Sequence, residues 1–345
     1  MTKIIKPNHL KKGDTIGLVS PSSPLAGLLP HRLKKGVSML EKMGYKIKIG
    51  KNALKTTGHT AGSGEERAKD INDFFEDSKV KAIISFVGGN HSNQILKYLD
   101  FGLIKKNPKI LMGYSDMTVL QLAIFSKTGL VTFYGPAVLT QFAENPEILD
   151  YTKKYFKKAV EINKPISRII SSPEWTDEVL DWFKKHDLKR ARKMKLNNSW
   201  QWLSKGKCRG PIMGGCISSM MHLKGTEFWP DFSNSILFWE LPESEKDIAK
   251  GESLENIDAF LTDLELLGVL KKIKGMVVGR PFGYSEDEVK KLIELINYHT
   301  KHYKFPILFG VDIGHSDPMI TVPIGVKVSL DSEKNIFDFI ETATK

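Results

Sequence analysis

The sequence predicts an α/β protein of two domains, and three observations support this. The chain has 345 residues, which is long for a single hydrophobic core. Its first half alternates short apolar runs with helical patterns, which indicates parallel strands joined by crossover helices. Its second half repeats that alternation more briefly and ends in several short strands. We therefore expect a parallel-sheet N-terminal domain and a smaller, mixed α/β C-terminal domain.

Each expected strand of the first domain is an apolar run that stops at small or turn-forming residues. These strands are 15–20, 45–49, 81–87, 109–112 and 131–134, and the expected helices are 28–43, 65–75, 93–99 and one that begins near residue 118. Ligand sites in such sheets lie beyond the carboxyl ends of the strands. Three candidate segments fall there: Ser20 with Pro21, Gly88 with Gly89, and residues 113–116.

The regular alternation stops in the middle of the chain. Residues 163–206 carry prolines, four tryptophans and a dense basic run, and we interpret them as a long connection that partly covers the cleft. The predicted boundaries are thus 1–162 for the first domain and 207–345 for the second. In the second domain we expect strands at 208–213, 235–240 and 275–279 and helices at 254–267 and 286–298.

The charge of the chain leaves several kinds of partner open. A net charge of +11 fits nucleic acid, an anionic substrate or simply a lysine-rich surface. The densest basic run, 184–195, contains no groove-reading or base-stacking motif. We interpret it as a solvated helical face, with contact to an anionic ligand as the alternative, and expect no nucleic-acid partner.

Composition also limits location and cofactors. No window approaches 18 uninterrupted apolar residues, and residues 1–14 lack the apolar core of a signal peptide. A cytoplasmic protein with no membrane partner is therefore expected. The two cysteines, Cys208 and Cys216, have no histidine or cysteine at ligand spacing, so we expect buried free thiols and see only weak evidence for a metal site.

The segment GYSDMTVL, residues 113–120, contains the first candidate catalytic group. Ser115 lies where a strand turns into a helix. It is either the N-cap of that helix or a nucleophile presented at a sharp turn, with the N–H of Asp116 as an oxyanion donor. The usual G-x-S-x-G elbow is not matched, because position 117 is methionine. The sequence pattern alone leaves both interpretations open.

A nucleophilic serine needs a base and an orienting acid. His315 follows the strand-like run LFGVDIG and is either an exposed turn residue or a base that reaches the cleft. Glu240 ends the apolar strand SILFWE and is either solvated or placed to orient that base. The pair Gly88-Gly89 is either a simple turn or a close backbone approach to substrate, with Gly89 N–H as an oxyanion donor.

Taken together, these segments resemble peptidase family S66, which comprises LD-carboxypeptidases and the microcin C immunity proteins of the MccF type. The resemblance runs through nearly the whole chain and is carried by residues 11–24, 57–100, 113–120, 210–240 and 310–315. It implies that Ser115 is the nucleophile, His315 the base and Glu240 the residue that orients the base. It also implies that the N–H groups of Gly89 and Asp116 form the oxyanion hole.

The resemblance carries further implications for fold and partners. It implies a flavodoxin-like or Rossmann-like first domain, an active site between the domains, a homodimer, a small-molecule or short-peptide substrate, and no metal or organic cofactor. Two departures weaken the transfer of individual residues: the stretch 87–91 reads VGGNH where LD-carboxypeptidases carry RGGYG, and Leu241 follows Glu240 where relatives often have a second acid.

The long middle region is similar to that of the MccF-like members, in which an aromatic side chain stacks on the base of an aminoacyl-nucleotide. We predict Trp200 for that role and Trp175 as second choice, with simple packing as the alternative for both. Gly88 and Asn90 complete the predicted substrate-binding residues. MccF-like cleavage of an aminoacyl-nucleotide is the leading hypothesis. The alternatives are release of D-alanine from muropeptides and, in a different class, a non-catalytic ligand-binding protein.

Overall fold

The computed structural model describes residues 3–244 and 246–345. Its strands are β1 Thr15–Val19, β2 Lys46–Ile49, β3 Val80–Ser85, β4 Ile110–Gly113, β5 Phe133–Tyr134, β6 Ser167–Arg168, β7 Glu174–Trp175, β8 Lys195–Leu196, β9 Gln201–Ser204, β10 Lys207–Cys216, β11 Ile236–Glu240, β12 Gly275–Gly279, β13 Ile307–Val311, β14 Val322–Pro323, β15 Lys327–Asp331 and β16 Ile336–Phe339. Its α-helices are α1 Leu25–Leu28, α2 Pro30–Lys42, α3 Gly64–Glu76, α4 Phe101–Lys106, α5 Met117–Thr128, α6 Asp150–Val160, α7 Ile217–Met221, α8 Leu254–Leu266, α9 Val269–Lys272 and α10 Glu286–Thr300.

The first sheet has six strands in the order β14-β5-β4-β3-β1-β2. Strands β1 to β5 pair in parallel, as the alternation of strands and helices predicts. The edge strand β14 is antiparallel and comes from near the C-terminus of the chain. The carboxyl ends of β1, β3 and β4 therefore lie side by side at one edge of the sheet, where the candidate turns were expected.

The second sheet has eight strands in the order β6-β16-β15-β10-β11-β12-β13-β9. Its central strands, β10 to β13, are parallel, and the flanking strands are antiparallel, so the sheet is mixed as predicted. Because β11 and β13 both pair with β12, their carboxyl ends lie two strand positions apart. Glu240 is the last residue of β11, and His315 follows β13 by four residues.

Helix α5 connects the two sheets. Its side chains are buried on nearly every face, as expected for a helix covered on all sides. Thr118 Oγ1 accepts a hydrogen bond of 3.0 Å from the N–H of Cys216, at the end of β10. The helix that follows the turn at Ser115 is thereby fixed to the second sheet, which carries Glu240.

The predicted elements of both halves are present, with ends displaced by at most three residues, but the helix expected at 93–99 is a 3₁₀ helix, Ser92–Tyr98, and the one expected at 28–43 is divided into α1 and α2. The interpretation of residues 184–195 as a solvated helical face is wrong. Within this run, only His186–Leu188 form a turn of 3₁₀ helix, and the half-buried Arg192 lies between two carboxylates. The middle region also contributes β6 and β9 to the second sheet. In the described part of the chain, no helix has the length and apolar character needed to cross a membrane.

Candidate active site

Ser115 lies at a strained turn between β4 and α5. Its φ angle is +62°, in the left-handed region that serine seldom adopts. Such a conformation costs about 1–3 kcal/mol and is concentrated at functional sites. The N-cap residue of α5 is Asp116, so the interpretation of Ser115 as the N-cap is wrong. The turn instead presents the serine side chain at the carboxyl edge of the first sheet.

The loop after β3 approaches Ser115 closely because Gly88 has no side chain. A Cβ on Gly88 would lie 2.7 Å from Ser115 Cβ and 2.8 Å from its Oγ. Real Cβ atoms do not come that close, so any other residue would displace the serine or the loop. The close approach suggested by Gly88-Gly89 is thus to the serine itself.

The side chain of Asp116 ties this loop to the nucleophile turn. Its Oδ2 accepts hydrogen bonds of 2.9 Å from the N–H groups of His91 and Ser92, and Ser92 Oγ donates to the Asp116 carbonyl over 2.7 Å. Within residues 3–244 and 246–345, the N–H groups of Gly89 and Asp116 donate to no acceptor. An N–H group without an acceptor can bind an oxyanion, so both groups remain candidate oxyanion donors.

Glu240 and His315 are in direct contact. The carboxylate is fully buried, and its Oε2 accepts hydrogen bonds from His315 Nδ1 at 2.8 Å and from His315 N at 3.2 Å. Gly314, with φ +105°, allows this approach, since a Cβ there would overlap the Glu240 carboxylate. Because the carboxylate accepts from Nδ1, the second ring nitrogen, Nε2, is the one directed away from Glu240 for proton transfer.

Tyr134, at the end of β5, is a residue that sequence reasoning missed. Its hydroxyl donates to Glu240 Oε1 over 2.5 Å and accepts from Ser115 N at 3.2 Å. The side chain is fully buried, and burial raises the pKa of its hydroxyl well above the usual value, so it stays protonated. One hydroxyl therefore bridges the acid on the second sheet and the nucleophile turn on the first. The only sequence signal was that Tyr134 ends a predicted strand.

The charge state of His315 is set by opposing effects. Burial alone would lower the pKa of the imidazole, but the carboxylates of Glu240 and Glu243 outweigh it and raise the pKa to about 9. Glu243 Oε2 lies 3.4 Å from His315 Nε2. No hydrogen bond joins Ser115 Oγ to His315 among the described residues, which is common in unliganded active sites.

Ser115, His315 and Glu243 line one cavity of about 650 Å³. Ser115, His315, Gly88 and Gly89 all face it, so the fold brings together residues that are up to 227 positions apart in the chain. Asn90 is not among the lining residues; its Oδ1 lies 2.8 Å from His222 Nε2.

The two predicted stacking residues lie elsewhere. Trp200 packs edge-on against Phe337, donates to Asp312 and lines a separate cavity of about 460 Å³. Trp175 is covered by the cationic groups of Lys195 and Arg280. Neither indole borders the cavity that contains Ser115, so their geometry favours the packing alternative.

Trp182 is the tryptophan that borders this cavity. Its ring lies 4.1 Å from the guanidinium carbon of Arg32, which is itself buried and paired with Asp187 at 2.6 Å. The indole is half-buried and rests on a fixed cation, a rigid arrangement suited to stacking of a planar ligand. Trp182 is one of the four tryptophans in the middle region, but no sequence pattern favoured it over the others for the stacking role.

The cavity is rich in carboxylates. It is lined by six of them and by two arginines: Glu144, Glu178, Asp181, Asp187, Glu243 and Asp317, with Arg32 and Arg192. Both arginines are already paired, since Arg192 bridges two carboxylates at 2.5 and 2.6 Å. The positive charge of the chain is therefore not concentrated in this cavity. Among the residues described, no cluster of three or more histidine, cysteine or acidic side chains is arranged to hold a metal ion.

Comparison with known proteins identifies the class of this site and then the family. Residues 16–135 match the LD-carboxypeptidase N-terminal domain model of peptidase S66, and residues 209–330 match the corresponding C-terminal domain model. These matches place the chain among serine hydrolases of the carboxypeptidase type. The chain belongs to peptidase family S66, as its sequence motifs indicate.

Both branches of the family are represented among its relatives. The microcin C7 self-immunity protein MccF of Escherichia coli is 34% identical over 331 residues, covering 95% of this chain and 93% of MccF. A Bacillus subtilis protein named "Probable murein peptide carboxypeptidase" is 31% identical over 330 residues, covering 95% and 92%. The solved structure of MccF in complex with aspartyl sulfamoyl adenosine superposes with a TM-score of 0.89 at 31% identity, covering 99% of this chain and all of that one. The chain is thus similar to MccF over its full length, and a carboxypeptidase function is also consistent with its relatives.

Proposed function

We propose that this protein is a serine hydrolase that cleaves the amide bond of an aminoacyl-nucleotide, with Ser115, His315 and Glu240 as its catalytic residues. The observation that carries the proposal is the buried Glu240 carboxylate on His315 Nδ1, in a cavity that also presents Ser115 from a left-handed turn. A nucleophile, a base and a carboxylate that orients the base are the set of groups that activates a weak nucleophile, and this supports the proposal.

The chemistry follows from this arrangement. Ser115 Oγ attacks the amide carbonyl carbon while its proton passes to neutral His315 Nε2, and His315 then gives that proton to the departing amine. Water hydrolyses the resulting acyl-serine by the same route in reverse. Glu240 holds the Nδ1–H tautomer and stabilises the imidazolium that forms. A positioned base of this kind contributes about 10²–10⁴-fold to the rate.

The N–H groups of Gly89 and Asp116 receive the oxyanion. Both lie beside the serine, and the hydrogen bonds from the loop to Asp116 Oδ2 fix their spacing. One preorganised donor is typically worth about 3 kcal/mol in the transition state. Gly88 and Gly89 thus support catalysis through backbone geometry.

The aminoacyl-nucleotide is favoured as substrate by two features. MccF, similar to this chain over its full length, has been solved with aspartyl sulfamoyl adenosine. In this chain, Trp182 borders the cavity and offers a supported indole face for a nucleobase. We assign Trp182 the stacking role that the sequence suggested for Trp200.

Release of D-alanine from a muropeptide is the second candidate. It is favoured by the similarity to the Bacillus subtilis protein named for murein peptide cleavage. A homodimer and a cytoplasmic location are further predictions from the family resemblance, and analytical ultracentrifugation of the purified chain tests the first of them.

A paired hydrolysis assay tests the proposal, with Ser115→Ala as the control. One substrate is aspartyl sulfamoyl adenosine, followed by aspartate release, and the other is a lysine-containing tetrapeptide, followed by D-alanine release. Serine-dependent cleavage of the first is the expected result. Cleavage of the tetrapeptide alone would transfer the function to the second candidate, and cleavage of neither would refute both.

A further inference from the structure

Glu243 lies on a short hairpin that follows β11 and borders the cavity. The hairpin is closed by a bridge between Glu243 and Gly251 and by hydrogen bonds from Ser244 N to Lys250 O and from Glu252 N to Pro242 O. The Glu243 side chain is 45% exposed, and its ion-pair contact is with His315 Nε2 at 3.4 Å. In the described part of the chain, it forms no ion pair with lysine or arginine.

This contact occupies the nitrogen that catalysis needs. Among the residues that the structure describes, the charged groups that face His315 are acids: Glu240 on Nδ1, Glu243 on Nε2 and, farther away, Asp317. The centroids of the Tyr114 and Phe282 rings lie 4.9 Å and 6.5 Å from that of the imidazole. An imidazole between two carboxylates keeps its second proton and cannot accept another from Ser115. In the free protein, the two carboxylates therefore favour the protonated form of His315.

We propose that Glu243 is a specificity-determining residue that binds an ammonium group on the acyl side of the substrate and thereby frees His315 Nε2 to act as the base. An ammonium beside Glu243 neutralises the charge that stabilises the imidazolium. The imidazolium then loses its proton to water, and the neutral ring accepts the Ser115 proton. This inference rests on the proposed function, since it concerns the same reaction.

The chemistry of the cavity favours an ammonium as this ligand. The two lining arginines are already paired, whereas the Glu243 carboxylate is half-exposed beside the scissile-bond position. Both candidate substrates carry an acyl-side ammonium. In the aminoacyl-nucleotide it is the α-ammonium next to the scissile carbonyl, and in the lysine-containing muropeptide it is the side-chain ammonium of the acyl residue.

NMR titration of the His315 ring tests the contact without relying on turnover. In the Ser115→Ala protein we expect a pKa near 9, and in Ser115→Ala/Glu243→Gln a value lower by one or more pH units. Addition of aspartyl sulfamoyl adenosine to Ser115→Ala should lower the pKa as well, whereas its des-amino succinyl counterpart should not. Equal titration of the two proteins, or equal effects of the two ligands, would overturn the proposal.

Kinetics with the same ligand pair supply the second readout. At pH 7 the wild-type protein should prefer the ammonium-bearing substrate by at least tenfold in kcat/KM, and Glu243→Gln should reduce this ratio to near one. Glu252→Gln, on the same hairpin but directed toward Ser253 and Asn256, is the matched control and should keep the wild-type ratio. An unchanged ratio in Glu243→Gln refutes the inference while hydrolysis itself persists. If wild type hydrolyses neither ligand, the proposed function fails instead, and the NMR titration still decides the role of Glu243.

Discussion

Replacing Tyr134 by phenylalanine removes one hydroxyl that bridges the two halves of the candidate active site. That hydroxyl is the hydrogen-bond donor to Glu240 Oε1, at 2.5 Å, and the acceptor for Ser115 N, at 3.2 Å. Glu240 is fully buried, so water does not replace the lost donor. The ring contacts of Tyr134 with Phe238 and Tyr114 remain, because phenylalanine keeps the same aromatic body.

The magnitude follows from the two lost hydrogen bonds. A hydrogen bond to a charged group contributes about 1.5–3 kcal/mol, and a neutral one about 1 kcal/mol. We therefore expect the free energy of unfolding to fall by about 2–4 kcal/mol. We also expect kcat to fall by roughly 10- to 100-fold with KM nearly unchanged, since each factor of ten corresponds to about 1.4 kcal/mol of transition-state stabilisation.

The pH profile separates a positioning role from a purely structural one. With its donor gone, the Glu240 carboxylate keeps more of its negative charge and attracts the His315 imidazolium more strongly. The pKa of His315 should then rise, and the ascending limb of the kcat/KM profile, which reports deprotonation of this base, should move to higher pH.

Urea unfolding and steady-state kinetics between pH 6 and 10 are the assays. Tyr155→Phe is the matched control: its hydroxyl is also buried and accepts from Ile170 N at 3.0 Å, but it touches no catalytic group. That variant should lose about 1 kcal/mol of stability and keep the wild-type profile. If Tyr134→Phe lost stability like the control but kept both kcat and the pH profile, the reasoning about Tyr134 would be refuted.

Three further predictions concern the same cavity. The pKa of His315 is raised from 6.5 to about 9, so the population of its neutral form grows with pH, and kcat/KM should rise up to about pH 9 in rate–pH profiles. The same shift means that the charged ring stabilises the folded state below pH 6.5. This stabilisation should be lost as pH rises through 9, and thermal denaturation measures that loss. Gly88→Ala should reduce kcat by at least 100-fold in steady-state assays while circular dichroism stays native, because the added Cβ would lie 2.7 Å from Ser115 Cβ; activity near the wild-type level would show that the loop can move aside. Trp182→Ala should raise KM for the aminoacyl-nucleotide by about tenfold, the loss of roughly 1–3 kcal/mol of base stacking, whereas Trp200→Ala should leave KM unchanged; the opposite result would restore the role first predicted for Trp200.

Several features were determined by the sequence itself, because they depend on local pattern. The apolar runs that became β1, β3, β4 and β11 are bounded by turn residues, and each strand formed within a few positions of its prediction. The rule that ligands bind beyond the carboxyl ends of parallel strands then placed Ser115 and Gly88 at one edge. Family motifs added Glu240 and His315, which the fold does bring into hydrogen-bond contact.

Tertiary structure alone decided which side chains converge between the sheets. No local sequence pattern indicates where Tyr134 and Trp182 lie. Tyr134 reaches Glu240 from the first sheet, and Trp182 borders the cavity from a connection without regular structure. Trp200, which was predicted to stack on the substrate, instead donates a hydrogen bond to Asp312. Periodicity reports which face of an element is apolar, whereas these contacts depend on how two sheets and an irregular connection pack together. That packing also placed the carboxylate of Glu243 3.4 Å from His315 Nε2, a contact between two loops that no local pattern indicates.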